Sequence, residues 1–501
     1  MRVSGRLVAL AITTLTTIFS LSTLLYVSQS YEYEHEHDDP VLTPARALAL
    51  PKQWLSTLGR ESRTKEIVKL HVLKALLEER YHIDKWRFGR NFNGPALQRL
   101  ADCMESDSCG PGEENVVILA TFHFGNAKQG MAGGEDIWAH STIEAFEALN
   151  YTLLYTYGNM DTLMIYQAIP DHVKTILWEG ESLKKCILRN ATNHEEMEDW
   201  WAAGKWQKGE SKGCIQREGF EDGIPIWKSF VFHFWKGSQS PLGPQWTLSP
   251  EDYAQWNDGV GNNYLGYSIE TRCRQTPFRD ERQHRGLTLG KRLEYFQGRD
   301  FYWPGMLGPI AEKMPYAWNK TLQASEPFEM IATASTPGKG YYTDGIEPLP
   351  EPGITNLGHR PMLEWFDLVA ESKFMLGVGR PLLSPSPYDA LCFGVPFINV
   401  IFQWDRENPD DWTKWNTQHN ALRPTGPPYV YHVQKNNREQ LEAAIAMALE
   451  NPIDRYIPPH MRKEAVQERH RTLIETDWRK RARDYVQREY LDGGKEFNFM
   501  L

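Results

Sequence analysis

Residues 374–402 read FMLGVGRPLLSPSPYDALCFGVPFINVIF, and this stretch decides the fold class. An apolar run from Phe374 enters Gly377-Val378-Gly379, a Pro- and Ser-rich loop follows, a helix opens at Ser386-Pro387, and a second apolar run begins near Phe397. Strand, turn, helix and strand in that order form the unit of a parallel sheet, whose loops gather at the C-terminal strand ends. Ser386 suits a helix N-cap, Pro387 the first helical position, and Asp389 the reciprocal carboxylate of a capping box. Free amides at Tyr388 and Asp389, with Ser384 and Ser386 before them, can face an anion such as a diphosphate. Ordinary capping of a strand–turn–helix junction accounts for the same residues.

The same rhythm extends in both directions. Val116–Phe122 is a buried-strand run, followed by a Gly-rich loop from Gly125 to Gly134 and a helix from Asp136 to Leu149. Strands at Tyr151–Thr156, Lys174–Trp178 and Trp227–Trp235 continue the series, while 180–225 gives no clear pattern. A second series starts near Tyr264, with strands at 264–270, 328–335, 373–379, 396–401 and 429–434. Its helices fall at 300–314, 361–371, 387–394 and 437–450, and a charged helix over roughly 460–490 closes the chain. Ile67, Leu70, Leu73, Leu76 and Leu77 follow helical spacing and predict an amphipathic helix over 62–80. The expectation is an α/β chain of two Rossmann-like lobes, joined near residue 240, with a cleft between them. Transferases, epimerases and binding proteins all use such a frame.

Composition narrows the classes. The chain has 501 residues, enough for two or three domains, and 18 Trp, which a disordered chain would not carry. With 55 basic against 65 acidic side chains the net charge is −10, the wrong sign for a nucleic-acid footprint. No CxxC pair and no HExxH occurs, which argues against a zinc ribbon or a zincin. Residues Leu7 to Val27 hold 21 uncharged positions, about 30 Å as a helix and so the thickness of a bilayer core. Arg2 and Arg6 precede this run and an acidic flank, YEYEHEHDD, follows it, which predicts a type II signal anchor with the body across the membrane. A cleaved signal peptide is the alternative.

Asn150, Asn190 and Asn319 each open an N-glycosylation sequon that a lumenal body can use. Cys103, Cys109, Cys186, Cys214 and Cys273 are available to pair there, in no order the spacing fixes, while Cys392 in its apolar stretch reads as a buried free thiol. His35 and His37 alternate with carboxylates, a pattern that a solvated charged face explains as well as a metal.

The 374–402 stretch resembles the donor-lobe motif of glycosyltransferase family 18. The likeness includes Gly-x-Gly-x-Pro from Gly377, the Pro385-x-Pro387 pair, Asp389-Ala390 and Gly394. It continues through Tyr429–Tyr456, with Glu439-x-Leu-Glu-Ala-Ala-Ile and Asn451-Pro-Ile-Asp-Arg-Tyr, and touches Pro241–Gln255, Asn263-Tyr-Leu-Gly-Tyr and Leu289-Gly290-Lys291. Over roughly 112–460 the resemblance is dense after 360 and thin in the first lobe. It implies a GT-B fold behind one transmembrane helix, a Golgi membrane location, and an inverting transfer of GlcNAc from UDP-GlcNAc. The acceptor it implies is a mannose hydroxyl, the β-1,6 branch point of N-glycans on glycoproteins. No metal and no other cofactor is expected, which agrees with the absence of any Asp-x-Asp. One departure stands out: the family has an aromatic-Glu-Gly run where this chain has Leu382-Leu383-Ser384.

Site residues follow from the resemblance and from chemistry together. The family's catalytic Glu follows a Gly-rich turn at a helix head, and the matching position is Glu135 in Ala132-Gly133-Gly134-Glu135. An inverting transfer needs one base for the acceptor proton; a carboxylate that merely favours the helix N-terminus is the competing account, and Asp136 is the rival residue. Donor contacts are assigned to Lys291, Gly377, Gly379, Arg380, Ser384, Ser386, Tyr388 and Asp389, and acceptor contacts to His123 and Trp246. The expected organisation is a cytoplasmic tail over 1–6, the anchor over 7–27, and a stem with a leading helix over 28–111. An acceptor lobe over 112–240, a donor lobe over 241–455 and a C-terminal helix over 456–501 complete it. Two alternatives stay open: a related transferase with another UDP-sugar or acceptor, and a membrane-tethered glycan-binding protein.

Overall fold

The computed structural model describes residues 62–80, 87–187, 213–256, 261–319, 323–336 and 346–501. The tail, the anchor over 7–27, the His35 and His37 stretch and Asn190 lie outside the described residues. Among the described residues no helix is long and apolar enough to cross a membrane.

Helix α1 (Ser62–Arg80) occupies the predicted span, and its Leu70, Leu73 and Leu77 are fully buried against α2 (Gly94–Glu105). The first lobe then alternates strands with helices, two of them after β1. Its elements are β1 (Val116–Ala120), α3 (Phe122–Lys128), α4 (Gly134–Ala148), β2 (Thr152–Tyr155), α5 (Asn159–Ala168), β3 (Val173–Trp178) and α6 (Gly180–Ile187). Strands β4 (Ser229–Phe232), β5 (Thr247–Ser249) and β6 (Asn263–Tyr264) complete a six-stranded parallel sheet of order β2-β1-β3-β4-β5-β6. The run Val116-Val-Ile-Leu-Ala120 is buried at every position, as a strand covered by helices on both faces must be. Part of the expected Gly-rich loop is helix α3, because Thr121 caps it by accepting from the His123 amide.

The lobe boundary differs from the expectation. Strands β5 and β6 pair into the first sheet, so the crossing lies after Tyr264 and not near residue 240. Residues 265–269, expected as a strand, instead lead into α7 (Glu270–Cys273), a linker helix. The second sheet begins at β7 (Arg285–Leu289), a strand that the alternation did not reveal.

The second lobe continues with α8 (Leu307–Lys313), the hairpin β8 (Ala317–Asn319) and β9 (Ala324–Glu326), β10 (Glu329–Ala332) and β11 (Thr355–Asn356). There follow α9 (Met362–Ala370), β12 (Phe374–Gly377), α10 (Ser386–Cys392), β13 (Phe397–Gln403), β14 (Asn416–Thr417), β15 (Val430–Gln434) and α11 (Arg438–Glu450). Its sheet runs β11-β10-β7-β12-β13, with β15 parallel on β13 and β14 antiparallel at the end of β13. Helix α11 starts where the Asn437 side chain accepts from the Gln440 amide, and its Leu441, Ala444, Ile445 and Ala448 are buried. The expected single C-terminal helix is two, α12 (Lys463–Glu475) and α13 (Trp478–Val486), separated where Asp477 caps α13 by accepting from the Lys480 amide.

Three disulfides join Cys103 to Cys109, Cys186 to Cys214 and Cys273 to Cys392. Cys392 is therefore not a free thiol. Its apolar setting is the inner face of α10, and Cys273 of the linker helix reaches it there.

Candidate active site

In an open parallel sheet, ligands bind beyond the strand C-termini where the strand order reverses, because loops from neighbouring strands diverge there and leave a crevice. The first sheet reverses between β1 and β3, and the second between β7 and β12. Residues leaving β1 are Thr121-Phe122-His123, those leaving β7 are Gly290-Lys291, and those leaving β12 are Val378-Gly379-Arg380. His123, Lys291 and the 377–386 loop thus stand at switch points, where the sequence reading put ligand contacts.

The two lobes meet between these points. A Cβ on Gly134, at the head of α4, would lie 3.6 Å from Pro385 Cδ and 3.4 Å from the Phe234 ring. The helix head and the loop that opens α10 are thus within ordinary van der Waals reach of each other.

Two carboxylates stand side by side at that head. Glu135 is half-buried in the first turn and makes no hydrogen bond or ion pair among the described residues. Asp136 is buried, and its Oδ1 lies 2.8 Å from His123 Nδ1 and accepts from Asn126 Nδ2 at 3.1 Å. Burial would raise the Asp136 pKa. Hydrogen bonds from His123 and Asn126, the nearby His123 charge and the Gly133 backbone N–H outweigh it and hold the carboxyl below its usual range. Sequence reading named His123 and Asp136 separately; it did not pair them, because the residues are 13 apart and meet only when α3 folds back along α4.

On the second lobe, Lys291 is exposed beyond β7, and its charge, after burial, helps lower the pKa of His359. Arg380 donates from Nε to Asp300 Oδ2 at 3.1 Å, so its charge is partly met within the lobe. Gly377 and Gly379 are glycines for packing. A Cβ on Gly377 would come within 2.5 Å of Gln418 Oε1, and Gly379, at φ 123°, has the Asp300 carbonyl where its Cβ would be. Gln418 fixes the loop, accepting from the Gly379 amide at 2.8 Å and donating to the Pro381 carbonyl at 3.1 Å. Buried His419 donates to the Ser384 carbonyl at 3.1 Å, and burial drives its pKa down to about 3, so the ring stays neutral.

The expected capping box does not form. Pro385 takes the N-cap position, and the Ser386 amide donates to Ser384 Oγ at 3.3 Å. Tyr388 and Asp389 point inward, so neither side chain faces a ligand. The Tyr388 hydroxyl donates to Glu251 Oε2 of the first lobe at 3.3 Å. Asp389 pairs with Arg272 of the linker helix at 3.3 Å; burial pushes its pKa up to about 6 despite that cation. Burial likewise pushes Glu251 up to about 8 against the pull of the Tyr388 hydroxyl.

Trp246 is core, not an acceptor platform. It is 1% exposed, its Nε1 donates to the Trp227 carbonyl, and its ring packs on Phe230 and Trp478. The exposed rings beyond this sheet are Phe122, Tyr157 and Trp235, which follow β1, β2 and β4. Position just after a strand is the signal that would have found them. Asn150 is exposed in a turn and Asn319 closes β8. The acidic and cysteine group Cys103, Cys109 and Glu113 has its sulfurs in a disulfide.

Residues 327–483 match the family model described as glycosyltransferase family 18, which bears out the resemblance read from 374–402. The rat alpha-1,6-mannosylglycoprotein 6-beta-N-acetylglucosaminyltransferase A is 24% identical over 260 residues, covering 48% of this chain and 31% of that protein. The human alpha-1,6-mannosylglycoprotein 6-beta-N-acetylglucosaminyltransferase B is 28% identical over 147 residues, 28% of this chain and 19% of that protein. The chain thus spans under a third of the length of these curated relatives. Among solved structures, AviGT4, a glycosyltransferase involved in avilamycin A biosynthesis, aligns with 74% of this chain and 96% of its own at 10% identity, with a TM-score of 0.30.

Proposed function

We propose that this chain, whose residues 327–483 form a glycosyltransferase family 18 segment, is a GT-B glycosyltransferase working between its two switch points. The carrying observation is the approach of Gly134 to Pro385, which brings the head of α4 up to the loop that opens α10. A sugar donor would lie against Lys291, Arg380 and the Ser384–Ser386 loop, with Gly377 and Gly379 shaping the turn. An acceptor glycan would lie against His123, Phe122, Tyr157 and Trp235, whose rings suit the C–H faces of sugars.

The finer reading is GlcNAc transfer from UDP-GlcNAc to a mannose hydroxyl of an N-glycan, forming a β-1,6 branch, after the activity that names the curated relatives. The acceptor oxygen attacks the anomeric carbon as the bond to the diphosphate breaks, inverting that centre. Lys291 and the loop amides meet the charge of the leaving group, and no metal is called on. Two groups at the head of α4 have the chemistry to take the hydroxyl proton: Glu135, unpaired in the first turn, and His123, held by Asp136. A type II Golgi location, with 7–27 as anchor, is supported by the apolar run and by three disulfides, which persist in oxidising compartments.

The test is sugar transfer by the full chain in detergent, from a panel of UDP-sugars onto N-glycan acceptors, with and without EDTA. GlcNAc transfer that resists EDTA is the expected result. Transfer of another sugar would revise the donor, which the Leu382-Leu383 departure makes the first point to check. Glycan binding without UDP binding would replace the transferase by a glycan-binding protein.

A further inference from the structure

We propose that Tyr388 and Glu251 are positioning residues that set the gap across which transfer occurs, by fastening α10 of the donor lobe to the first lobe. The proposal rests on the transferase reading above. Helix α10 opens at the loop assigned to the donor, yet one face of it is held by the rest of the molecule. Pro385 meets the head of α4, and the Tyr388 hydroxyl donates to Glu251 Oε2 at 3.3 Å. Asp389 pairs with Arg272 of the linker helix, and Cys392 is bonded to Cys273. Positions 385, 388, 389 and 392 follow the i, i+3, i+4, i+7 spacing of a single helix face. The element that carries the donor loop is therefore docked on the first lobe and the linker along its length.

Both ends of the Glu251–Tyr388 bond are anchored. Glu251 follows β5 and is buried; its carbonyl accepts from the Ser249 hydroxyl and the Tyr253 amide, and the Tyr253 hydroxyl donates to the Phe234 carbonyl. Tyr388 is buried too, with its ring edge-on to Tyr267 at 5.9 Å and to His419 at 4.8 Å. His419 donates to the Ser384 carbonyl, so the ring bonded to the first lobe rests on the residue that holds the donor loop. Burial pushes the Glu251 carboxyl up to about 8, so near neutral pH it keeps its proton and glutamine is a close copy of it.

The bond matters because the two substrates lie on different lobes. Acceptor contacts and the head of α4, with Glu135, belong to the first lobe, and donor contacts belong to the second. The reacting atoms meet only when the lobes keep one separation, and a misplacement of about 1 Å can cost about 10²-fold in rate. The approach of Gly134 to Pro385 sets that separation at the cleft, and the Glu251–Tyr388 bond sets it one turn farther along α10. The first is an apolar contact, which tolerates sliding; the second is a directional hydrogen bond, which does not. Nucleotide binding draws on the second lobe alone. Loss of the bond should therefore slow transfer and leave the affinity for UDP in place.

The experiment compares Tyr388→Phe, Glu251→Ala, Glu251→Gln and the double variant Tyr388→Phe/Glu251→Ala in the full chain. Each is measured for kcat, donor KM and UDP Kd, and circular dichroism checks that it folds. Tyr388→Phe removes one oxygen and should lower kcat about tenfold or more, with donor KM and UDP Kd within about threefold. Glu251→Ala should do the same, and the double variant should be no worse than the poorer single one, since both changes break one bond. Glu251→Gln keeps the acceptor and should stay within about threefold of the unaltered chain. If Glu251→Ala does not fold, Tyr388→Phe and Glu251→Gln carry the comparison. Unaltered kcat in Tyr388→Phe overturns the proposal, as does a UDP affinity that falls as far as kcat, which would mark general damage to the loop. Glu251→Gln as slow as Tyr388→Phe, or losses that add in the double variant, would also overturn it. Absence of transfer by the unaltered chain from every UDP-sugar sinks the transferase reading and this proposal together, whereas transfer indifferent to Tyr388 sinks the proposal alone.

Discussion

Glu251 shows how one residue's chemistry depends on where the chain puts it. In sequence it is an ordinary acidic residue after Ser249-Pro250; in the fold it is buried between the lobes, with one oxygen accepting from Tyr388 and the other unpaired. Burial raises its pKa from 4.5 to about 8. Below about pH 4.5 the group is protonated in both the folded and unfolded chain and contributes no pH dependence. Between 4.5 and 8 the unfolded chain releases the proton while the folded chain keeps it, so stability falls as pH rises through that window. Glu251→Gln keeps an acceptor for Tyr388 and removes the titration. Its Tm relative to the unaltered chain should therefore climb between pH 5 and pH 8, as followed by thermal unfolding at both values. A pH-independent difference would mean that Glu251 is ionised in the folded protein. Asp136 has the opposite sign: its lowered pKa adds stability above its unfolded value, and that stability is lost on acidification through the folded one.

At the scale of elements, the C-terminal helices have a role that their composition hides. The 460–490 segment reads as charged because most of its residues face solvent, yet α12 and α13 bury Val466, His470, Leu473, Trp478, Ala482 and Val486. These side chains cover the first lobe, not the second from which the chain has just emerged. His470 packs edge-on against Phe146, and Trp478 against Phe230 and Trp246. Trp478→Ala should cost about 3–5 kcal/mol in chemical denaturation, as other large-to-small core changes do. A cost under about 1 kcal/mol would mean that the helix does not seal the lobe. The same packing explains Trp246: its ring is used up by α13, so it has none to offer a sugar.

Across the whole molecule, the linker around α7 ties the lobes together. Ser268 donates its amide to Ser141 of α4, Arg272 pairs with Asp389, and Cys273 is bonded to Cys392, 119 residues away. The Arg272 guanidinium also lies 4.8 Å above the Phe366 ring, so the ion pair is largely removed from water. Arg272→Ala leaves Asp389 buried and unpaired and should cost about 3–5 kcal/mol, while adding Asp389→Asn should recover part of the loss. The denaturant midpoints of the single and double variants check this, and equal midpoints for Arg272→Ala and the unaltered chain would exclude a structural role for the pair. The sequence alone determined most of the alternation of strands and helices, the parallel frame of both sheets and the loop at 377–386, but not β7 or the antiparallel β14. Burial on both faces writes long apolar runs such as Val116–Ala120, and glycines mark tight turns. It also determined the helix over 62–80, whose leucine spacing is a local record of one buried face. Tertiary structure alone decided the lobe boundary, since β5 and β6 are too short to show a pattern and declare their sheet only by pairing. It alone turned Tyr388 and Asp389 inward, made Cys392 a disulfide partner and joined His123 to Asp136. Each of those outcomes is a contact between residues distant along the chain, and no local pattern encodes which distant partner arrives.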